Sequence, residues 1–200
     1  MRRLLVVVLV LIGLFSVMVG QGVASKGKIL MVIAPDKFRD EELFIPKRIF
    51  EENGYEVVIS SREKRQCVGM LGARVIPDIT IDEVRPEDYV AMVLVGGVGA
   101  QVYFDDRMLQ ELCRMFYEEG KVVAAICLAP VILANAGLLE GKRATVWHSE
   151  SRTISRRGAR YTGEPVSKDG RVITGAGPFA AEEFARQILR ELELLGQKSK

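Results

Sequence analysis

The strongest constraint on the fold is an alternation of apolar runs and helical patterns that begins at Lys28. The three most apolar runs have the length of buried strands: KILMVIA, YVAMVLV and KVVAAI. Segments with helical patterns separate or follow them, for example residues 40–53 and 179–195. Strands that alternate with helices usually pair in parallel, because each helix carries the chain back across the sheet. We therefore expect one layered α/β domain with a mostly parallel sheet, spanning residues 27–196.

The first 24 residues have the pattern of a targeting segment. Arg2 and Arg3 precede a charge-free apolar run, and residues 22–24 form a small-x-small pattern that suits signal peptidase. We expect a secretory signal over residues 1–24. An uncleaved membrane anchor is the alternative, since the uncharged stretch could nearly span a bilayer core, and a buried N-terminal helix is a third reading. A signal or an anchor would place the domain outside the cytoplasm.

Charge argues against one class of partner. Removing residues 1–24 lowers the formal net charge from +2 to 0, because two arginines and no acids are lost. A domain without excess positive charge has no electrostatic support for binding nucleic acid. We therefore expect no nucleic-acid partner, and contact with a membrane only through an uncleaved N-terminal segment.

A cysteine stands where a strand pattern gives way to a helix pattern. Cys127 follows the run KVVAAI, and Ala125 and Ala129 lie two residues to either side. Small residues at these positions are typical of a nucleophile elbow, where the backbone folds back sharply on itself. A sulfur at the start of a helix also faces unpaired backbone amides, which favour the thiolate. We therefore expect Cys127 to be an accessible, readily ionised nucleophile, with an ordinary buried cysteine as the alternative.

Two further features fall at the same predicted edge of the sheet. Gly96 and Gly97 open the loop GGVGA after YVAMVLV, and glycines there free backbone amides to face a ligand. The loop lacks the G-x-G-x-x-G pattern, so a nucleotide cofactor has little support. His148 is the only histidine and follows the strand-like run RATVW. It is a candidate proton acceptor, with an ordinary surface histidine as the alternative.

Three acids, Asp40, Glu41 and Glu42, open the first predicted helix. Acids in the first turn commonly interact with the helix dipole or cap the helix. A carboxyl held beside a thiolate would instead have a raised pKa and would donate a hydrogen bond to the sulfur. One of the three could therefore be a partner of the cysteine.

The other two cysteines suggest no metal centre. Cys67 and Cys113 do not combine with Cys127 and a histidine at metal-ligand spacing, so we expect no metal. Cys113 falls on the apolar face of a helical pattern, as a core residue would. A disulfide between Cys67 and Cys113 is left open by the sequence.

These motifs resemble those of the DJ-1/PfpI superfamily, from Lys28 to about Leu195. The run AAICLAPVILANAGLLEGKRATVW is similar to the cysteine elbow, helix and following strand of that family, and DEELFIP resembles its glutamate motif. VGG is similar to its glycine loop, and YTGEPVSKDGRVITGAGPFAAEEFA resembles its closing hairpin and helix. The resemblance implies a flavodoxin-like three-layer α/β sandwich, like that of class I glutamine amidotransferases. It also implies a homodimer or a higher homo-oligomer.

The same resemblance implies three catalytic residues. Cys127 matches the reactive cysteine of the family, and Glu42 matches its protonated glutamate partner. His148 matches the histidine that lies near the cysteine in the DJ-1 branch.

It also implies a substrate-binding set built largely from backbone. Gly97 and the amide of Leu128 match the donors that hold an anion, with Gly96 beside them in the glycine loop. Gly177 and Pro178 resemble the loop that closes the pocket.

The chain departs from the peptidase-like members at one position. Those members carry a histidine directly after the nucleophile, whereas this chain has Leu128, which cannot accept the thiol proton. The chain also has no histidine after His148, so it lacks the His-x-Glu pair of the related amidotransferases. Peptidase and glutaminase activities are both disfavoured.

Three functions follow from these observations. The first is a cysteine hydrolase or lyase of the glyoxalase or deglycase type, which acts without a cofactor on a small carbonyl compound or a damaged protein. The second is a non-enzymatic thiol sensor or protective protein whose Cys127 oxidises reversibly. The third is a PfpI-like cysteine peptidase, which would require His148 from a neighbouring subunit.

Overall fold

The structure is a computed structural model that describes residues 25–198 of the chain. The secretory signal or anchor predicted over residues 1–24 lies outside the described residues. Among the residues that are described, no helix is long and apolar enough to cross a membrane.

The strands of the described chain are β1 Lys28–Val32, β2 Asp36–Phe38, β3 Glu56–Ser61, β4 Cys67–Gly69, β5 Arg74–Val75, β6 Ile79–Thr80, β7 Tyr89–Leu94, β8 Val122–Ile126, β9 Arg143–Ala144, β10 Arg160–Tyr161, β11 Val166–Asp169 and β12 Val172–Gly175. The α-helices are α1 Asp40–Glu52, α2 Arg107–Glu118, α3 Pro130–Asn135, α4 Ser151–Arg156 and α5 Ala181–Lys198. Short 3-10 turns follow several strands, at Ile81–Glu83, Pro86–Asp88, Val98–Tyr103, His148–Glu150 and Pro178–Ala180.

A seven-stranded sheet forms the centre of the domain, in the order β11-β12-β8-β7-β1-β3-β6. Its neighbouring strands pair in parallel except β11 and β12, which form an antiparallel hairpin. The three continuous apolar runs become the central strands β1, β7 and β8, whose apolar side chains are almost all buried. A strand with both faces covered needs apolar residues at every position rather than at alternate ones.

Helices cover both faces of this sheet. Helices α1 and α5 pack against each other on one side, and α2 packs with α3 on the other. The buried face of α2 carries Leu109, Leu112, Cys113 and Phe116, at the spacing that a helix needs to present one apolar stripe. The result is a three-layer sandwich whose core is the sheet and the inner faces of these helices.

The carboxyl ends of the central strands meet at one edge. Val32 of β1 pairs with Leu94 of β7, and Leu94 pairs with Ala125 of β8. The loops that follow β7 and β8 therefore begin side by side, and they contain Gly96 and Cys127. Open α/β sheets bind ligands at this edge.

The run RATVW forms a shorter strand than its pattern predicts. Only Arg143–Ala144 pair, as β9, with β10 in a separate two-stranded sheet. The next residues bond elsewhere, since Thr145 N donates to Thr174 Oγ1 at 2.8 Å and Trp147 N donates to Cys127 O at 2.8 Å. The backbone is thus tied to the sheet edge instead of extending a ladder.

Glycine at position 99 is required by close packing beneath β2. A Cβ atom at Gly99 would lie 1.8 Å from the carbonyl oxygen of Asp36. We expect Gly99→Ala to lower the free energy of unfolding by about 1–3 kcal/mol or more, because the segment must move to admit a methyl group. Urea denaturation measures the change.

Gly196→Ala in α5 is the control, since a Cβ there meets no atom within 4 Å. It should leave the protein unchanged or more stable by up to about 1 kcal/mol. Equal midpoints for the two variants would contradict the packing argument.

Candidate active site

Cys127 lies directly after β8, in a strained backbone conformation. Its φ of 63° falls in the left-handed region that non-glycine residues rarely adopt. Its N–H donates to Gly175 O at 2.9 Å, and its carbonyl accepts the N–H of Trp147 at 2.8 Å. Such strain persists only where the surroundings enforce it, and it is concentrated at functional sites.

Gly96 allows the end of β7 to approach this turn. A Cβ atom at Gly96 would lie 2.5 Å from Ile126 O, 2.6 Å from Cys127 Cβ and 2.6 Å from Glu42 Oε2. Only a residue without a side chain fits between the cysteine and the carboxyl group. The glycine loop therefore has a steric role at the centre of the site.

Glu42, in the first turn of α1, is fully buried beside Cys127. Its Oε2 accepts the N–H of Gly96 at 3.0 Å, whereas Oε1 has no hydrogen-bond partner among the described residues. Burial raises the pKa of Glu42 to about 8, although Cys127, the Gly96 N–H and the charge of Arg39 act in the opposite direction. The carboxyl group is therefore mainly protonated at neutral pH.

The thiol of Cys127 is less accessible and less acidic than the sequence predicts. The residue is only 8% exposed. Burial raises the pKa of Cys127 to about 12, and negative charge on Glu42 acts in the same direction. The backbone N–H groups of Gly97 and Leu128 lower it. The expectation of an accessible, readily ionised cysteine is therefore wrong, and burial is the main reason.

The titrations of Glu42 and Cys127 are coupled, because each group contributes to the pKa of the other. A neutral Glu42 exerts no repulsion on a thiolate and can donate a hydrogen bond to it, which reverses the effect of the carboxylate. Cys127 therefore ionises more easily while Glu42 keeps its proton, although burial still opposes the thiolate.

The two acids before Glu42 have different partners. Asp40 accepts the N–H groups of Leu71 at 2.8 Å and Ala73 at 2.9 Å, so it fixes the turn after β4. Glu41 binds the guanidinium of Arg39 at 2.8 Å. Neither carboxylate is thus placed as the partner of the cysteine.

A pocket of about 210 Å³ opens above the sulfur. Its wall is mostly apolar and consists of Arg39, Met70, Gly97, Val98, Cys127, Leu128, Trp147 and Pro178. A nucleophile at the floor of a concave apolar pocket, with backbone donors beside it, can attack a carbonyl carbon and stabilise the resulting oxyanion.

The sequence profile of the DJ-1/PfpI family matches residues 27–191. The chain belongs to the DJ-1/PfpI family. An uncharacterized protein of Methanocaldococcus jannaschii is 46% identical over 172 residues, which cover 84% of each chain. A Pyrococcus furiosus protein named Deglycase PfpI is 31% identical, over 82% of this chain and 99% of its own. The match begins at residue 27, so it gives no support to a secretion signal.

A solved structure supports the same relationship. The ThiJ/PfpI domain protein from Brachyspira murdochii superposes with a TM-score of 0.82 at 32% identity, covering 85% of this chain and 98% of that one. The predicted flavodoxin-like sandwich, with its mostly parallel sheet, is therefore confirmed.

In this DJ-1/PfpI domain, the structure does not place His148 in the pocket. His148 is exposed in the 3-10 turn after β9, whereas Trp147 lines the pocket and packs against its ring at 5.0 Å between centroids. The N–H of Trp147 is bound to Cys127 O, so the backbone of Trp147 lies at the nucleophilic turn. The exposed position of His148 does not support the catalytic role predicted for it, and Trp147 is the neighbour of the cysteine in the pocket.

The predicted binding residues divide into two groups. Gly97, Leu128 and Pro178 line the pocket as expected. The N–H of Gly96 is already bound to Glu42, so Gly96 positions the acid and is not an oxyanion donor. Gly177 is buried under the indole, where a Cβ would lie 2.8 Å from the ring. It thus makes room for Trp147.

Four lining residues were not singled out by the sequence: Arg39, Met70, Val98 and Trp147. Met70 follows the short strand β4, Val98 lies in the loop GGVGA after β7, and neither carries a chemical signature. Trp147 is the single tryptophan of the chain and directly precedes the single histidine. Its rarity is a signal that could have directed attention to it.

The remaining cysteines lie outside the pocket. Cys67 and Cys113 are buried and unpaired with each other, which settles the question that the sequence left open. Burial raises the pKa of both thiols, for Cys113 to about 12. Within residues 25–198 no group of three or more His, Cys, Asp or Glu side chains is arranged to hold a metal ion.

Glu42→Gln should stabilise the protein increasingly as the pH rises towards 8. An unperturbed glutamate loses its proton near pH 4.5, whereas Glu42 in the folded protein keeps it to about pH 8. The folded state binds the additional proton between these values, so wild-type stability falls as the pH rises through this window. Glutamine removes this dependence. The Tm difference between Glu42→Gln and the wild type should grow across the window and then level off. Each kcal/mol of stability corresponds to about 2–4 °C in Tm.

Scanning calorimetry at a series of pH values measures this difference. Glu52→Gln is the matched control, because Glu52 is an exposed carboxylate on the same helix that pairs with Arg48 at 3.0 Å. Its Tm offset should stay flat over the window. A flat offset for Glu42→Gln as well would refute the raised pKa.

Proposed function

We propose that the protein is a cysteine-dependent enzyme of the glyoxalase or deglycase type that acts on reactive carbonyl compounds. The observation that carries the proposal is the pairing of Cys127, in its strained turn, with the buried, protonated Glu42. The N–H groups of Gly97 and Leu128 face the sulfur and can hold an oxyanion next to it. The deglycase name of the Pyrococcus furiosus relative supports the same reaction class.

The proposed reaction begins after Cys127 has released its thiol proton to solvent, whereas Glu42 keeps its carboxyl proton. The sulfur bonds to the aldehyde carbon of methylglyoxal, and the carbonyl electron pair moves to oxygen beside Gly97 and Leu128. Glu42 gives its proton to that oxygen, which completes a hemithioacetal and leaves a carboxylate. The backbone donors stabilise the negative charge as it develops.

Three further steps balance the reaction without an oxidant or reductant. The Glu42 carboxylate removes the proton from the carbon bonded to sulfur and returns it to the adjacent carbon, while the hydroxyl proton of the hemithioacetal moves to the oxygen on that adjacent carbon. This isomerisation converts the hemithioacetal into a thioester of lactate. Water then attacks the thioester carbon and gives one proton to Glu42, the carbon–sulfur bond breaks to restore the thiolate, and lactic acid leaves and releases its proton to solvent. The net change is addition of one water molecule to methylglyoxal.

Peptide hydrolysis is less well supported. It would need a base beside the sulfur, and the residue after Cys127 is Leu128, which has no proton acceptor. A buried glutamic acid that is already protonated serves better as a proton donor to a carbonyl oxygen.

Assembly and location stay predictions at this stage. We expect a homodimer or higher homo-oligomer, and an exported or membrane-anchored protein if residues 1–24 act as a leader. Neither expectation is needed for the proposed chemistry, because every residue used above lies in one chain.

Methylglyoxal turnover tests the proposal directly. Cys127→Ser should lower kcat/KM by at least about a hundredfold, because the nucleophile is lost. Glu42→Gln should lower it by roughly 10²–10⁴-fold, because proton transfer is lost while the shape is kept. Enzymatic measurement of lactate gives both values.

Cys67→Ala is the matched control, since Cys67 is a buried cysteine that does not line the pocket. Its turnover should stay close to that of the wild type. Absence of lactate with folded wild-type protein would overturn the proposal. If mass spectrometry then found selective peroxide oxidation of Cys127, the thiol-sensor hypothesis would be favoured.

His148→Ala should change kcat/KM for methylglyoxal by less than about threefold. The imidazole is exposed and does not line the pocket, so it is not placed to move a proton at the reacting atoms. A loss comparable to that of Glu42→Gln, with unchanged thermal stability, would restore His148 to a catalytic role.

A further inference from the structure

We propose that Trp147 makes the pocket selective for α-oxoaldehydes with an apolar or aromatic substituent, for which phenylglyoxal is the test compound. The inference rests on the proposed function and specifies the substrate class of the same site. It depends on three features: the composition of the wall, the size of the pocket and the fixed position of the indole.

The wall is apolar wherever it lies away from the reacting sulfur. Met70, Val98, Leu128, Trp147 and Pro178 supply its apolar side chains. A substituent that projects from the carbonyl group into this space is removed from water, which favours an apolar group by about 25 cal/mol per Å² of surface. A polar or charged substituent would lose water without gaining partners.

The charged residue in the wall is already paired. The guanidinium of Arg39 forms an ion pair with Glu41: Nη2 donates to Oε1 at 2.9 Å, and Nε lies 2.8 Å from Oε2 without hydrogen-bond geometry. A substrate carboxylate would have to compete with this ion pair. The pocket therefore does not favour an α-oxo acid.

The volume also exceeds the needs of the smallest substrates. A cavity of about 10–15 Å³ already holds one water molecule, so a pocket of about 210 Å³ has room for many more. Glyoxal or methylglyoxal would leave much of this space to solvent, whereas a phenyl ring would fill it and lie near the indole.

The structure holds Trp147 in place from both sides. The backbone N–H of Trp147 donates to Cys127 O, so the indole is tied to the nucleophilic turn. Gly177 packs directly against the ring, because a Cβ there would lie 2.8 Å from two of its carbons. A fixed aromatic side chain loses little entropy when a second ring packs against it.

Steady-state kinetics with two substrates test the proposal. We expect wild-type kcat/KM to be higher for phenylglyoxal than for methylglyoxal. The ratio of kcat/KM for phenylglyoxal to kcat/KM for methylglyoxal should fall by about tenfold in Trp147→Ala. In Trp147→Phe this ratio should stay within about threefold of wild type. An unchanged ratio in Trp147→Ala would overturn the proposal.

Tyr161→Ala is the matched control, because Tyr161 is an exposed aromatic residue that does not line the pocket. It should leave the ratio unchanged. A fall equal to that of Trp147→Ala would show that loss of any aromatic residue has this effect, which would also overturn the proposal.

A binding experiment separates this proposal from the proposed function. The chain has one tryptophan, so ¹⁵N-labelled Cys127→Ala protein gives a single indole N–H signal. Acetophenone should shift this signal at a concentration about tenfold lower than acetone does. That result would support aromatic selectivity even if no aldehyde were turned over. Equal responses, or none, would refute it independently of catalysis.

Discussion

A buried carboxyl group pressed against a strained cysteine is the constraint on which the rest of the site depends. Glu42 is removed from water, and the contacts with Cys127, the N–H of Gly96 and the charge of Arg39 do not offset that loss, so it keeps its proton to about pH 8. Three elements must meet to create this contact: the first turn of α1, the glycine after β7 and the turn after β8. A side chain at Gly96 would separate them. The space left by Gly96 and the proton held by Glu42 are therefore both needed at the same contact with Cys127.

Much of the fold could be predicted because its strongest signals are local. The run YVAMVLV is apolar at every position, and only a strand covered on both faces needs that pattern, so β7 in the centre of the sheet follows directly. The Lys-Asp-Gly turn likewise predicts the hairpin of β11 and β12. RATVW was harder, because strand propensity does not reveal whether backbone donors join a ladder. Its later residues bond to Thr174 and Cys127 instead.

The site could be predicted where its chemistry follows from residue type and spacing. It could not be predicted where it depends on the burial of a group or on which way a side chain points. The alanines beside Cys127 indicated the sharp turn, and its φ of 63° is the geometry they permit. Residue order does not show how far Cys127 is removed from water. The predicted thiol therefore ionises more easily than the thiol in the structure, whose pKa is raised by burial. The confusion of His148 with Trp147 is a displacement of one residue. The residue whose backbone is bound to Cys127 O is also the one whose side chain lines the pocket.

Water is excluded from the sulfur and from the acid in different ways. The pocket wall beside the sulfur is mostly apolar, whereas Glu42 is fully buried in the protein, and that burial keeps the proton on the carboxyl group. A more polar environment around Glu42 would let the carboxylate ionise, and its charge would then hold Cys127 in the thiol form. An apolar substituent that displaces the remaining solvent strengthens this effect, since electrostatic interactions grow as water leaves. In the proposed reaction, the wall that would select the substituent also lies beside the reacting sulfur, and Trp147 is part of that wall.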